Sequence, residues 1–333
     1  MITLKELAIK CNVSIATISN ILNGKSNVSD ETKTRILKII EESGYKPNLI
    51  AKGLRASSIK TIALIIDDVT SFGSPEMIDG IMDVCEKNGY KVICSNLRIY
   101  SNKKFDESLK SAIDLMLSFK VDGIVYIAGY TKLVNYLPSD LEIPIVVAYA
   151  ISQNKKIPSV SIDDKNSAIQ LTEKLIQKGH TNIGLIMGSE GNIHSKLRLE
   201  GVKEVLEKYN IDYNSIITGY GNWEFDSSYE VCKKIFNSDN LPSAIFCFND
   251  LMAAGVYKYL DEIGKKPGVD VAVVGFDDRP MAKCMIPPLT TMHIQEYEIG
   301  KKACEILFKK LEGIELDENN IKIPCLLKER KSI

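Results

Sequence analysis

The chain has 333 residues, 45% hydrophobic and 26% charged, with a net charge of -1. That length allows two or three domains with a sizeable core, and the composition, close to that of an ordinary soluble globular protein, argues against a disordered chain. The near-zero total excludes a uniformly basic nucleic-acid coat, yet it conceals an asymmetry: residues 1–60 carry ten Lys or Arg against five acids, a net of +5, and the rest carries -6. A basic head on an acidic body suits two functions, with the head facing an anionic polymer. The N-terminus has no charged segment leading into an apolar one, and no run approaches 18 apolar residues, so a cytoplasmic protein without a membrane partner is expected. The eight cysteines are scattered with no C-x-x-C pair, which points to buried free thiols rather than disulfides or zinc.

Thr3-Leu4-Lys5-Glu6 has the hydroxyl-to-carboxylate spacing of a capping box and opens a short helix with Leu4, Leu7 and Ala8 on one face. The spacing predicts a second helix after Ser14, running through Leu22 until Gly24 stops it, and a third after Ser29 with Ile36, Leu37, Ile39 and Ile40 as its apolar face. Two short helices across a tight turn make a helix-turn-helix, which the third closes into a small core. In that geometry the N-terminal side chains of the second helix reach base edges in the major groove. Ile15, Ala16 and Asn20 are the outward candidates, although Ile15 also suits a core position.

Pro47 stops the third helix, and Asn48 can cap another from Leu49 to Arg55. So short a helix, with Gly53 inside it, is marginal alone, so its order should depend on a partner. From residue 61, continuous apolar runs alternate with helical patterns: 62–66, 91–94, 123–127 and 145–148, then 183–187, 244–248 and 271–276. Such strands read as parallel sheets covered on both faces, and two series imply two lobes. Strand ends carry Asp67-Asp68, Asp163-Asp164, Asn249-Asp250 and Asp277-Asp278, with Asp250 placed to cap a helix. Paired acids can serve metal or phosphoryl chemistry, but no P-loop, H-E-x-x-H or complete G-x-G-x-x-G accompanies them; Gly219-Tyr220-Gly221 lacks the third glycine. His180, His194 and His293 have no ligand spacing and read as structural. No enzyme, metal or cofactor is expected.

The chain resembles the LacI/GalR family of bacterial transcriptional regulators. The resemblance is carried by Thr3-Leu4-Lys5-Glu6-Leu7-Ala8, Val13-Ser14-Ile15-Ala16-Thr17-Ile18-Ser19, Leu22-Asn23-Gly24 and Gly44-Tyr45-Lys46-Pro47-Asn48, and continues through Leu54-Arg55 and residues 60–65 into the body. It covers essentially the whole chain. It implies an α/β protein with a three-helix DNA-binding head at 1–46, a hinge helix and linker at 47–60, and a two-lobed periplasmic-binding-protein-like body at 61–333 that binds effector and dimerises. The first lobe is expected at about 61–160 and 292–320, and the second at about 161–291 and 321–333.

The resemblance also implies roles. Ser14, Ile15, Ala16, Thr17 and Asn20 would meet double-stranded DNA, and paired hinge helices would enter the minor groove, with Leu54 wedging the central step and Lys52 and Arg55 on phosphates. Where relatives often carry Arg, this chain has Asn20, which suits adenine rather than guanine and so favours a more A·T-containing half-site. Arg198, Trp223, Asn249 and Asp277 match effector contacts, with Ser71 and Phe72 as further pocket candidates. A guanidinium, a carboxylate, an amide and an aromatic face together favour a sugar or similar polyol. After the fourth strand many relatives have a polar residue; this chain reads Ala148-Tyr149-Ala150.

Two other readings stay open. A catabolite-control regulator would dock a phosphoprotein corepressor, but Cys304-Glu305 stands where that relative has a basic residue. A sugar-binding transport component shares the two-lobed fold. No leucine-heptad tail follows Leu327-Lys328-Glu329-Arg330, so a homodimer on a pseudo-palindromic operator is expected. Whether effector releases or promotes DNA binding is left open by the residues.

Overall fold

A computed structural model describes residues 2–22, 25, 28–45, 58–100, 104–130, 132–138, 140–238 and 241–333. It divides into two compact units, 1–59 and 60–333. The expected hinge residues Lys52, Leu54 and Arg55, and the helix-stopping Gly24, lie outside the described residues.

The head is built on side-chain caps. Thr3 N donates to Glu6 Oε2 at 2.7 Å while Glu6 N donates to Thr3 Oγ1 at 3.2 Å, the reciprocal box that starts α1 (Leu4–Cys11). Asn12, in the left-handed region at φ 54°, ends it. Ser14 Oγ accepts from Thr17 N at 3.0 Å and starts α2 (Ile15–Leu22); Ser29 Oγ accepts from Thr32 N at 3.4 Å and starts α3 (Asp30–Glu42). Leu7, Ala8, Cys11, Ile18, Ile21, Ile36 and Ile40 form the core. Leu37 does not join them. It lies 44% exposed, because the 100° step from Ile36 turns it off the face shared by Ile36 and Ile40.

The body holds two six-stranded sheets. In the first, β1 (Thr61–Ile66), β2 (Lys91–Asn96), β3 (Gly123–Ile127), β5 (Ile145–Ala148), β7 (Ser159–Ile162) and β13 (Asn320–Ile323) run parallel in the order β13-β7-β5-β3-β1-β2. In the second, β8 (Ile183–Met187), β9 (Thr218–Tyr220), β10 (Ala244–Cys247), β11 (Ala272–Asp277), β12 (Thr290–His293) and β14 (Leu326–Lys328) take the order β14-β12-β11-β10-β8-β9, and only β14 is antiparallel to its neighbour. A two-stranded parallel sheet joins β4 (Leu133–Val134) to β6 (Ile151–Ser152).

All seven expected apolar runs are strands. The others that complete the sheets, β7, β9 and β12 to β14, are three or four residues long and mix polar with apolar side chains, so they lack the continuous apolar run that marks the central strands.

The chain crosses between lobes after β7, between β12 and the helix Glu296–Leu311, and between β13 and β14. These crossings lie a few residues beyond the expected 160, 291 and 320, since Ile162, His293 and Ile323 still pair within their sheets. They are tied together: Asp163 N donates to Ile323 O at 2.9 Å, and Gln295 Nε2 donates to Pro324 O at 2.8 Å.

Among the described residues seven α-helices cover the sheets: α4 (Ser74–Lys87), α5 (Phe105–Ser118), α6 (Asp164–Gln177), α7 (Ile193–Lys208), α8 (Phe225–Phe236), α9 (Asp250–Glu262) and α10 (Glu296–Leu311). Helices α4 and α10 approach so closely that a Cβ on Gly80 would overlap Tyr297 O, and one on Gly300 would overlap Met77 O. Glycine is required there by the contact between backbones. We expect Gly300→Val to destabilise the body by about 2–4 kcal/mol through this overlap, read as a lowered thermal unfolding midpoint.

Candidate functional site

In the head, Ser14, Ile15, Ala16 and Asn20 are exposed and Thr17 is half-buried. Ile15, at 41% exposure, is not a core residue. Ile18 and Ile21 take the inward face, so the helix offers Ile15, Ala16 and Asn20 outward together. Ser14 and Thr17 are bound to each other at 2.9 Å between hydroxyl oxygens, so their first duty is to fix the N-terminus of the helix. That terminus, with its unpaired amides and positive dipole end, suits a phosphate.

In the body, a cavity of about 620 Å³ lies between the lobes at the carboxyl ends of both sheets. The first lobe contributes Phe72, Tyr100, Gly129, Tyr130 and Tyr149; the second contributes Ser189 to Asn192, His194, Arg198, Asn222 to Glu224, Asn249 and Asp277. Five expected residues, Phe72, Arg198, Trp223, Asn249 and Asp277, therefore line one cavity. Ser71 does not. It is buried behind the wall, where its hydroxyl donates to Tyr100 Oη at 3.3 Å.

Arg198, only 1% exposed, is fixed from three sides. Its Nε donates to Asp164 Oδ1 at 2.7 Å, its Nη1 donates to the Phe248 carbonyl, and its guanidinium lies 3.4 Å from the Phe276 ring centre. Asp164, at the start of α6, also holds His194 Nδ1 at 2.8 Å. Burial pushes the Asp164 carboxyl up, but His194 and Arg198 outweigh it and hold the group below its ordinary value. His194 is thus a cleft residue oriented by a carboxylate, not a merely structural histidine; its sequence signal was the i, i+4 spacing to Arg198 on one helix face.

Trp223 owes its place to backbone geometry. Asn222 and Trp223 both take left-handed conformations, at φ 50° and 67°, and the indole covers Gly188, where a Cβ would overlap it. Asn249, not Asp250, caps α9: its Oδ1 accepts from Met252 N at 2.8 Å and its Nδ2 donates to Trp223 O at 3.2 Å. Asp250 stands inside the helix, taking Thr291 Oγ1 at 2.6 Å and Arg279 N at 2.7 Å. Burial and the nearby Asp277 charge push its carboxyl up to about 8. Asp277, at φ 112°, is also raised by burial, against the pull of Arg279 at 2.9 Å and of Arg198.

The position after β5, the fourth of the expected apolar strands, is filled by Tyr149, in the left-handed region at φ 63° and 5.9 Å from the His194 ring across the cleft. Arg279 likewise reaches from the second lobe over Phe72, at 4.6 Å. Tyr100, Tyr130, Tyr149 and His194 were not among the expected contacts. The three tyrosines lie on loops whose direction is set by the sheets, with no local motif to mark them, whereas His194 carries the helical spacing to Arg198. The result is a cavity with aromatic faces from both lobes around Arg198, Asp277 and Asn249.

Of the eight cysteines, Cys94 and Cys284 are exposed and six are buried, all as free thiols. Among the described residues no group of three or more His, Cys, Asp or Glu is placed to hold a metal ion, and no helix is long and apolar enough to cross a membrane.

Asp164 should dominate the acid sensitivity of this site. Because its folded value lies below its ordinary one, its stabilisation is present above the usual carboxylate range and is lost as pH falls through the folded value. Asp164→Asn leaves Arg198 buried without its counter-charge. We expect a loss of about 3–5 kcal/mol at pH 7 and a flatter dependence on acid, read by thermal unfolding from pH 7 to pH 3.

The family description "Bacterial regulatory proteins, lacI family" matches residues 3–48, and "Periplasmic binding protein-like domain" matches residues 172–333. The catabolite control protein A of Priestia megaterium is 30% identical over 338 residues, covering 99% of each chain. The HTH-type transcriptional repressor PurR of Vibrio vulnificus (strain CMCP6) is 29% identical over 321 residues, covering 96% of this chain and 94% of the relative. Among solved structures, the Lac repressor dimer bound to operator and the anti-inducer ONPF has a TM-score of 0.85 at 24% identity, covering 99% and 98% of the two chains, a likeness of fold. The transcription regulator CcpA of Lactococcus lactis has a TM-score of 0.68 at 25% identity over 82% of this chain and 98% of its own. With a helix-turn-helix head, a two-lobed α/β body and a full-length relative at 30% identity, the chain belongs to the LacI family of bacterial transcriptional regulators.

Proposed function

We propose that this protein is a transcriptional repressor, without catalytic activity, whose affinity for a pseudo-palindromic operator is set by a sugar or sugar derivative bound between the lobes. The observation that carries the effector class is the cavity itself. Aromatic faces of Phe72, Tyr149 and Trp223 surround the polar groups of Arg198, Asn249 and Asp277. Sugars present C–H faces to rings and hydroxyls to such groups.

In this reading residues 1–46 bind DNA, 47–60 form the hinge, and 61–333 bind effector and form the homodimer. Ser14, Ile15, Ala16, Thr17 and Asn20 meet the major groove, and Lys52, Leu54 and Arg55 meet the minor groove and its phosphates. The exposed face bearing Ile15, Ala16 and Asn20 supports the first set. A dimer must bring both heads to DNA, so whatever shifts the lobes alters the cost of that arrangement.

A phosphoprotein corepressor is the second reading, prompted by the catabolite control relative. At the position where a cation would be wanted, Cys304 is buried and Glu305 is paired with Lys302 at 3.7 Å. An acid there opposes a phosphate.

The test is a gel shift of the full chain on selected operator fragments with a panel of sugars, phosphosugars and nucleobases. A sugar that changes DNA affinity supports the reading; a panel in which only nucleobases act, or no DNA binding at all, overturns it. Trp223→Ala should weaken the effector response about tenfold, as expected for a loss of ~1–1.5 kcal/mol of stacking, and leave DNA binding intact. Asn20→Arg should move the preferred base at one position per half-site from adenine to guanine in a binding selection, by roughly 1–3 kcal/mol of discrimination. An unchanged preference removes Asn20 from the readout.

A further inference from the structure

Glu296 begins α10 immediately after the second lobe crossing, beside Gln295, which ties that crossing to the third through Pro324 O at 2.8 Å. It is 3% exposed, and its Oε1 has no hydrogen-bond partner among the described residues. A carboxyl so placed strongly favours its uncharged form. Its chain is wedged against Gly73 of the loop that carries Phe72: a Cβ on Gly73, already at φ 82°, would come within 2.7 Å of Glu296 Cγ.

The charges that bear on Glu296 are acidic. They come from Glu76 in the first turn of α4 and from Asp277 and Asp278 at the end of β11. The guanidinium groups beside those aspartates are already engaged, Arg279 with Asp277 at 2.9 Å and Arg330 with Asp278 at 2.5 Å. On the cleft side, Tyr149 lies close enough to feel the Glu296 charge. Burial, opposed by the residue's own backbone N–H and reinforced by the three acids, pushes the Glu296 carboxyl up to about 8.

We propose that Glu296 is a proton-sensitive pin at the second lobe crossing, holding the cleft in its present geometry only while its carboxyl is uncharged. On ionisation the proton leaves to solvent and a buried carboxylate remains among three acids, with its own backbone N–H pulling the other way. Opening the crossing admits water and relieves that cost. The close approach of Glu296 to Gly73 couples the opening to Phe72, and the hydrogen bond from Ile294 N to Asp277 O at 3.4 Å couples it to Asp277. The proton therefore acts on both walls of the cavity at once. The regulatory meaning rests on the reading of this cavity as the effector site; the pin itself does not.

Linkage gives the sign. A carboxyl whose folded value is raised costs stability as pH climbs from its ordinary value of 4.5 to about 8, because the unfolded chain releases the proton first. Trp223, the only tryptophan in the sequence, lies in the cavity wall and reports on it directly. The emission of the full chain, without effector, is followed from pH 7 to pH 9.5 in the wild type, in Glu296→Gln and in Asp250→Asn, which removes the other carboxyl raised to about 8. The expected result is a one-proton transition centred near pH 8 in the wild type and in Asp250→Asn, and its loss in Glu296→Gln. A wild type without the transition, or a transition that survives in Glu296→Gln, overturns the proposal. Should Glu296→Gln fail to fold, Glu296→Met supplies an uncharged side chain of similar length for the same comparison. Because no effector enters the measurement, failure of the sugar screen and failure of the pin are separate outcomes.

Discussion

The cleft depends on one buried carboxylate. Asp164 stands where the chain first enters the second lobe, and it takes Arg198 on one oxygen and His194 within reach of both. An unpaired guanidinium at 1% exposure would be costly; paired and laid on Phe276 it becomes a fixed donor array. Fixing Arg198 in turn places His194 one turn earlier on the same helix, and His194 meets Trp223 at 6.1 Å from one lobe and Tyr149 at 5.9 Å from the other. A single ion pair thus orders both the polar floor and the aromatic walls.

The second constraint is covalent. Three crossings, tied by Asp163 to Ile323 and Gln295 to Pro324, join the two sheets as two covalently linked lobes. The acids at strand ends collect beside those crossings because carboxyl ends of parallel strands converge there. Asp278 is paired with Arg330 and Asp277 with Arg279, yet burial still holds Asp277 toward the uncharged form, as it does Asp250 and Glu296. This mixture makes the region between the lobes sensitive to added charge, whether from a proton or from a ligand, which is a physical basis for transmitting occupancy of the cleft.

Asn249 shows how structural and binding duties overlap. It caps α9, holds the Trp223 carbonyl and still lines the cavity. The sequence placed the capping role on Asp250 because both residues are good caps; which one acts is decided by the backbone, where Asn249 takes the extended conformation that precedes a helix.

The head was legible almost entirely in the sequence, since caps at Thr3, Ser14 and Ser29 and the spacing of Leu7, Ile18, Ile21, Ile36 and Ile40 are local rules. The continuous apolar runs likewise determined the central strands and the two-lobed α/β class, because a strand covered on both faces must be apolar throughout. The edge strands, the positions of the crossings, and the cleft residues Tyr100, Tyr130, Tyr149 and His194 were decided only by tertiary structure. Their side chains meet partners tens to hundreds of residues away, across a gap that no local period encodes. The charge asymmetry along the chain located a basic head; only the fold shows that the acidic body concentrates part of its charge where its lobes meet.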